Sequence, residues 1–141
     1  MKRGGLVAIA VLTFVMATCA FGQVSLMLKA NVPFDFTTTA ATLPAGEYTL
    51  DSRIAGSYTT ILLQGDRGRS GVFLLTNVAQ WKGPEEPKAE LVFHRYGDRY
   101  FLVELWTGDG AGRQFPMSKE ERELARGPSQ MQVAAIPMLA R

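Results

Sequence analysis

The sequence predicts an all-β protein: an antiparallel β-sandwich or small β-barrel of about seven strands, with one short helix near the C-terminus. Three observations carry this. Short apolar runs recur along the chain, divided by turn residues at intervals of roughly 8–15 positions. No helical segments lie between those runs, which argues against a parallel α/β sheet. A capping-box sequence, Ser118-Lys119-Glu120-Glu121, opens the one stretch with a helical signal.

The N-terminus stands apart. Lys2 and Arg3 precede an uncharged apolar run from Leu6 to Ala17, followed by small residues up to Gly22. That order is a secretory signal peptide over 1–22, cut after Gly22 or after Ala20. The apolar run is shorter than the 20 or so residues a membrane span requires, so the exported chain is not expected to span a membrane. Cys19 raises the option of lipidation, but Met16-Ala17-Thr18 departs from the lipoprotein pattern, and lipidation is not expected. Residues 23–141 then form a single β-rich domain without cysteine, so the core must hold the fold without a disulfide. Losing Lys2 and Arg3 reduces 15 basic residues to 13, against 13 acidic ones. A near-neutral chain with no basic block makes nucleic acid a poor partner.

Within the domain, Val24 to Lys29 reads as the first strand. Val32 to Thr37 alternates, with Val32, Phe34 and Phe36 on one side, and Pro33 places it at an edge, bend or strand start. Leu43-Pro44-Ala45-Gly46 is a turn: proline fixes φ at its second position and glycine fits the fourth. Strands come next at Glu47–Leu50, Tyr58–Gln64 and Ser70–Thr76, the last two divided by a Gly65-Asp66-Arg67-Gly68 turn. Trp81 to Lys88 reads as an exposed loop, Leu91 to Trp106 as a hairpin, and Gly108 to Gly112 as a flexible loop. The helix covers about 118–126. Ser118 caps one free N–H, Glu121 reaches back to another, and Gly127-Pro128 ends it with a left-handed cap. Only Leu124 and Ala125 offer it a buried face. A last strand, Met131–Ile136, precedes Pro137.

The hairpin contains HRYGDRY and the single histidine. With Gly97-Asp98 at the centre of a tight turn, Arg95 faces Tyr100, His94 faces Phe101, Phe93 faces Leu102 and Val92 faces Val103. One face then carries His94, Val92, Phe101, Val103 and Leu105. The other carries Leu91, Phe93, Tyr100, Leu102 and Trp106. Both are apolar away from the tip, which places this hairpin in the middle of the protein.

No catalytic residue, metal ligand or cofactor is expected. One histidine and no cysteine in residues 23–141 cannot supply a zinc set. Gly108-x-Gly110-x-Gly112 has the wrong spacing for a dinucleotide loop. No Ser elbow is present, and Glu85-Glu86 adjoin where glycosidase carboxylates stand apart. The residues best suited to a ligand or an interface are Trp81, His94, Arg95, Tyr96, Arg99 and Tyr100. A packing role for His94 and for the aromatics competes with that reading.

ANVPFDFT, LPAGEYTL, LVFHRYGDRYFLVELW and GRQFPMSKEERELA resemble a set of small exported proteins of acidobacteria that share VPFDF, LPAGEY and LVFHRYGDRYFL phrases. The resemblance spans about Leu28 to Ala125. It implies a compact β-rich domain behind a signal peptide and carries no activity or site residue. TTTAATLPAG departs from the more polar stretch that the set has before LPAG.

Together these features point to an exported non-enzymatic β-domain, periplasmic or extracellular. It would bind a glycan, an apolar ligand or an envelope protein, or serve a structural role. The alternative is a lipocalin-like small barrel around an apolar ligand. A hydrolase would need Asp35, Glu47, Asp98 or Glu104 to converge, with His94 as base.

Overall fold

A computed structural model describes residues 27–51, 60–65 and 69–140. The signal-peptide expectation and Cys19 lie outside those residues, as do Val24 to Leu26, Tyr58, Thr59 and the centre of the Gly65–Gly68 turn.

The chain is built from strands β1 (Met27–Val32), β2 (Phe36–Thr37), β3 (Thr42–Leu43), β4 (Gly46–Asp51), β5 (Thr60–Gly65), β6 (Ser70–Leu75), β7 (Asn77–Gln80), β8 (Ala89–Tyr96), β9 (Arg99–Thr107), β10 (Ala111–Gln114) and β11 (Met131–Ala140), with helix α1 (Lys119–Ala125) before β11. They form one strongly curled mixed sheet, a half-barrel, in the order β3-β2-β9-β8-β11-β1-β4-β5-β6, with β10 bridging β9 and β7. The all-β expectation holds. The described residues hold eleven strands, more than the seven expected, and β2 pairs with β9 in parallel at Thr37 and Phe101.

The added strands come from long-range pairing. Ala111–Gln114, whose first two residues end the expected Gly108–Gly112 loop, becomes β10 because β7 and β9 supply backbone partners on both sides. β6 runs on through buried Thr76 into β7, so one stretch of chain ends the β5 side of the sheet and begins the β10 side. Pro33 divides β1 from β2, as a residue without an N–H should. β11 does not stop at Ile136. Its first seven residues pair with β8, and Met138 to Ala140 pair with β1. Pro137 sits at that change of partner, where a missing donor disturbs the ladder least.

The concave side holds the core: Leu28, Ala30 and Val32 of β1, Phe36, Tyr48, Leu50, Leu63, Leu74, Leu91, Phe93, Leu102, Leu105 and Met138. Val32, Phe93 and Leu91 are fully buried. Phe93 meets Phe34 and Phe36 in T-shaped pairs at centroid distances of 5.0 and 5.3 Å. The turn after β3 is fastened by its own neighbours: the Tyr48 hydroxyl donates to the Pro44 carbonyl, and the Ala45 N–H donates to the Asp35 carboxylate at 2.9 Å.

The hairpin register matches the sequence expectation from the turn to Phe93–Leu102, and Gly97 takes φ of 64°. Beyond that a bulge intervenes, and Val92 faces Glu104 instead of Val103. One extra residue on β9 exchanges the faces of the strand residues beyond it. Leu105 therefore joins the concave core, and Trp106 joins Val92 and Val103 on the convex face, the reverse of the expected assignment. Convex-face side chains on an inner strand need cover. Ala79 and Trp81 give it at one end of the hairpin, and α1 gives it at the other.

Candidate functional site

Strand alternation on β8 sends His94 and Tyr96 to the convex face and Arg95 to the concave one. Opposite them, β9 contributes Phe101 beside His94 and Tyr100 beside Arg95. α1 lies over the convex pair. Its Ser118 cap accepts the Glu121 N–H at 3.1 Å, so the first half of the capping box forms. The second half does not, because the Glu121 carboxylate turns into the protein. Its Oε1 lies 2.7 Å from His94 Nδ1 and 3.3 Å from the Tyr96 hydroxyl. A carboxylate oxygen accepts, so Nδ1–H and O–H are the donors. At 1% exposure, Glu121 is the buried residue of the helix, in place of Leu124 and Ala125. The C-terminus of the helix also differs: Arg126 is right-handed, and the Gly127 N–H reaches the Leu124 carbonyl without positive φ.

The electrostatics agree with a filled site. Burial first, then the Glu121 charge and its hydrogen bond, hold the Tyr96 phenol above its ordinary pKa of 10.0. Next to it, Arg99 pairs with Glu120 at 2.5 Å and lies 5.3 Å over the Phe101 ring. His94, Tyr96 and Arg99 therefore come together as the seat of α1.

The other three candidates lie elsewhere. Arg95 donates from Nε to the Gly97 carbonyl at 2.6 Å and covers Tyr100 at 5.4 Å. Tyr100 stacks on Phe34, ring centroids 3.6 Å apart. Trp81 stands edge-on to Trp106 at 5.1 Å and donates to the Glu85 carbonyl at 2.8 Å. Gly83 lies so close beneath its indole that a Cβ there would come within 2.7 Å of it. Half-buried, its ring closes the small convex core.

Three of the four carboxylates considered for hydrolysis serve local structure. Asp35 takes the Ala45 N–H, Glu47 pairs with Lys29, and Glu104 accepts the Trp106 indole N–H at 3.0 Å. Asp98 sits in the hairpin turn, six residues of strand and about 20 Å from Glu104. Among the described residues, no group of three or more His, Cys, Asp or Glu side chains is placed to hold a metal ion.

Sequence reasoning passed over the outward face of β11. On β11, Val133 lies opposite His94 and Ala135 opposite Val92, so both point to the convex face. The alternate residues Met131, Val133, Ala135, Pro137 and Leu139 are all exposed, Val133 at 63% and Leu139 at 75%. The intervening Ala134, Ile136 and Met138 face the core. The alternation was present in MQVAAIPMLA, but both of its faces are apolar except Gln132, so nothing in it marked the outward one.

Among the described residues no helix is long and apolar enough to cross a membrane, a finding that does not bear on strands. No protein-family model, curated protein or solved structure matches the chain.

Proposed function

We propose that the chain is an exported, non-enzymatic β-domain that binds a protein of the envelope or extracellular space through the convex stripe of β11. The exposed stripe carries this reading. An uncovered apolar row in the middle of a sheet is informative, because scattered single apolar residues are normal and contiguous ones mark contact sites.

The polar candidates support the same reading by being occupied: His94, Tyr96 and Arg99 hold α1, and Arg95 holds the hairpin turn. A protein partner is favoured over a glycan because the stripe has no aromatic ring, and Trp81 and Tyr100 are packed against other rings. It is favoured over an apolar ligand because Phe36, Phe93, Leu63 and Leu91 fill the concave side. The signal-like N-terminus and the resemblance to small exported acidobacterial proteins support export.

Photo-crosslinking tests the proposal. A crosslinker at Val133, in the full chain expressed with export competence, is expected to give a discrete protein adduct, and one at exposed Glu123 is not. The recovered chain should begin near Gln23. Equal labelling from both positions, or none from Val133, would overturn the binding role. An intact N-terminus in the cytoplasm would overturn export.

A further inference from the structure

The geometry points to a second copy of this chain as the occupant of the β11 stripe. This rests on the reading of the stripe as a binding face and adds the identity of the partner. The stripe runs from Met131 to Leu139, about 26 Å at strand rise. No residue of β11 is charged, so nothing on it opposes a like surface. An interface between identical copies must complement itself, which limits the arrangements that fit.

A two-fold axis parallel to β11 fits on two counts. The first is space. α1 stands on the β8 side of the convex face, where Glu121 meets His94 and Tyr96. On the other side, β1 accompanies β11 only along Met138 to Ala140, and Met131 to Ile136 have no β1 partner. The parallel axis lays the helix of each copy beside the part of β11 that β1 leaves open in the other. An axis across β11 instead sets each helix over the Trp81–Trp106 end of the other copy.

The second count is charge. Glu90 flanks the stripe from β8, opposite Pro137. Lys29 flanks it from β1, opposite Leu139. Both are convex-face positions, and the parallel axis carries the β8 flank of one copy onto the β1 flank of the other. Glu90 then approaches Lys29 of the second copy, twice per dimer.

Size sets the strength. Five side chains of this kind cover on the order of 500 Å² per copy, short of the roughly 800 Å² per partner of a standard stable interface. A contact of this size is expected to be weak and reversible.

Sedimentation equilibrium between about 1 μM and 1 mM reads this directly. The mass should double with concentration and stop at two copies. Val133→Asp, at an exposed position where the circular dichroism spectrum should stay unchanged, should raise Kd at least tenfold. Glu90→Lys and Lys29→Glu should each weaken association, and the double charge swap should recover most of the loss. Lys29 also pairs with Glu47, so recovery is scored against Lys29→Glu alone. A monomer across the whole range, growth beyond two copies, an unchanged Kd in Val133→Asp, or a double variant no better than Lys29→Glu would each overturn the inference. If the chain stays monomeric and Val133 crosslinks to a different protein, the second copy is refuted and the binding role stands.

Discussion

Glu121 is the residue through which α1 is held, and a double-mutant cycle with His94 measures that hold. His94→Phe leaves the buried carboxylate with only the 3.3 Å Tyr96 contact. Orphaning one member of a fully buried pair costs about 3–5 kcal/mol. The His94 side chain is 25% exposed, so water relieves part of this and about 2.5 kcal/mol is expected. Glu121→Met removes the charge and leaves the buried Tyr96 hydroxyl without its acceptor. That loss is about 1–3 kcal/mol, partly offset because a carboxylate no longer has to be desolvated, so about 1.5 kcal/mol is expected. In the double variant both sites are apolar and only the Tyr96 hydroxyl is orphaned, again about 1.5 kcal/mol. The singles then sum to about 4 kcal/mol, and the coupling is about 2.5 kcal/mol, well outside the 0.3–0.5 kcal/mol scatter of independent sites. Urea unfolding monitored by circular dichroism and tryptophan fluorescence gives the four stabilities. Hydrogen exchange should show faster amides in α1 and unchanged ones in β8 and β9. Additivity within about 0.5 kcal/mol would refute the reasoning, since it would mean that Glu121 does not serve His94.

Two further predictions concern the same hairpin. The Tyr96 phenol is held above its ordinary value, so the fold favours its neutral form. Its contribution is fully present below the unfolded value of 10.0 and is lost as pH rises through the higher folded one. The urea midpoint should fall above about pH 10, and Tyr96→Phe should flatten that fall, although Tyr48, also raised by burial and by Asp35, leaves a residue of it. A fall equally steep in Tyr96→Phe would contradict this assignment. Gly112→Ala tests the convex core, because a Cβ there would come within 2.4 Å of the Trp106 ring. Overpacking of that kind should cost about 1–3 kcal/mol and shift tryptophan emission, with the far-ultraviolet spectrum retained.

The legible parts of the site and those that were not divide along physical lines. The turn at Gly97-Asp98 and the first hairpin pairs were readable because the φ demands of a two-residue turn fix the register next to it. The Ser118 cap was readable because it satisfies an N–H three residues away. Glu121 was misassigned for the same reason: from sequence, its nearest unsatisfied donor was the cap, while His94, 27 positions distant, competed only once the fold had brought α1 onto β8. Of the six candidate residues, His94, Tyr96 and Arg99 share a place, and alternation alone divides them from Arg95 and Tyr100.

By itself the sequence determined most of the longer strands, the positions of most turns, the short helix near the C-terminus and an apolar hairpin too greasy for an edge. These arise from interactions within a few residues: φ preferences, capping and the two-residue period of a strand. Tertiary structure alone decided the β9 bulge that exchanged Leu105 and Trp106, the recruitment of a glycine-rich loop as β10, the passage of β11 through Pro137, and the outward turn of Met131, Val133 and Leu139. Each depends on which distant strand supplies the hydrogen bonds, and a backbone group carries no mark of its partner. Local energies define the pieces, and the burial of one face of a curled sheet selects how they pair.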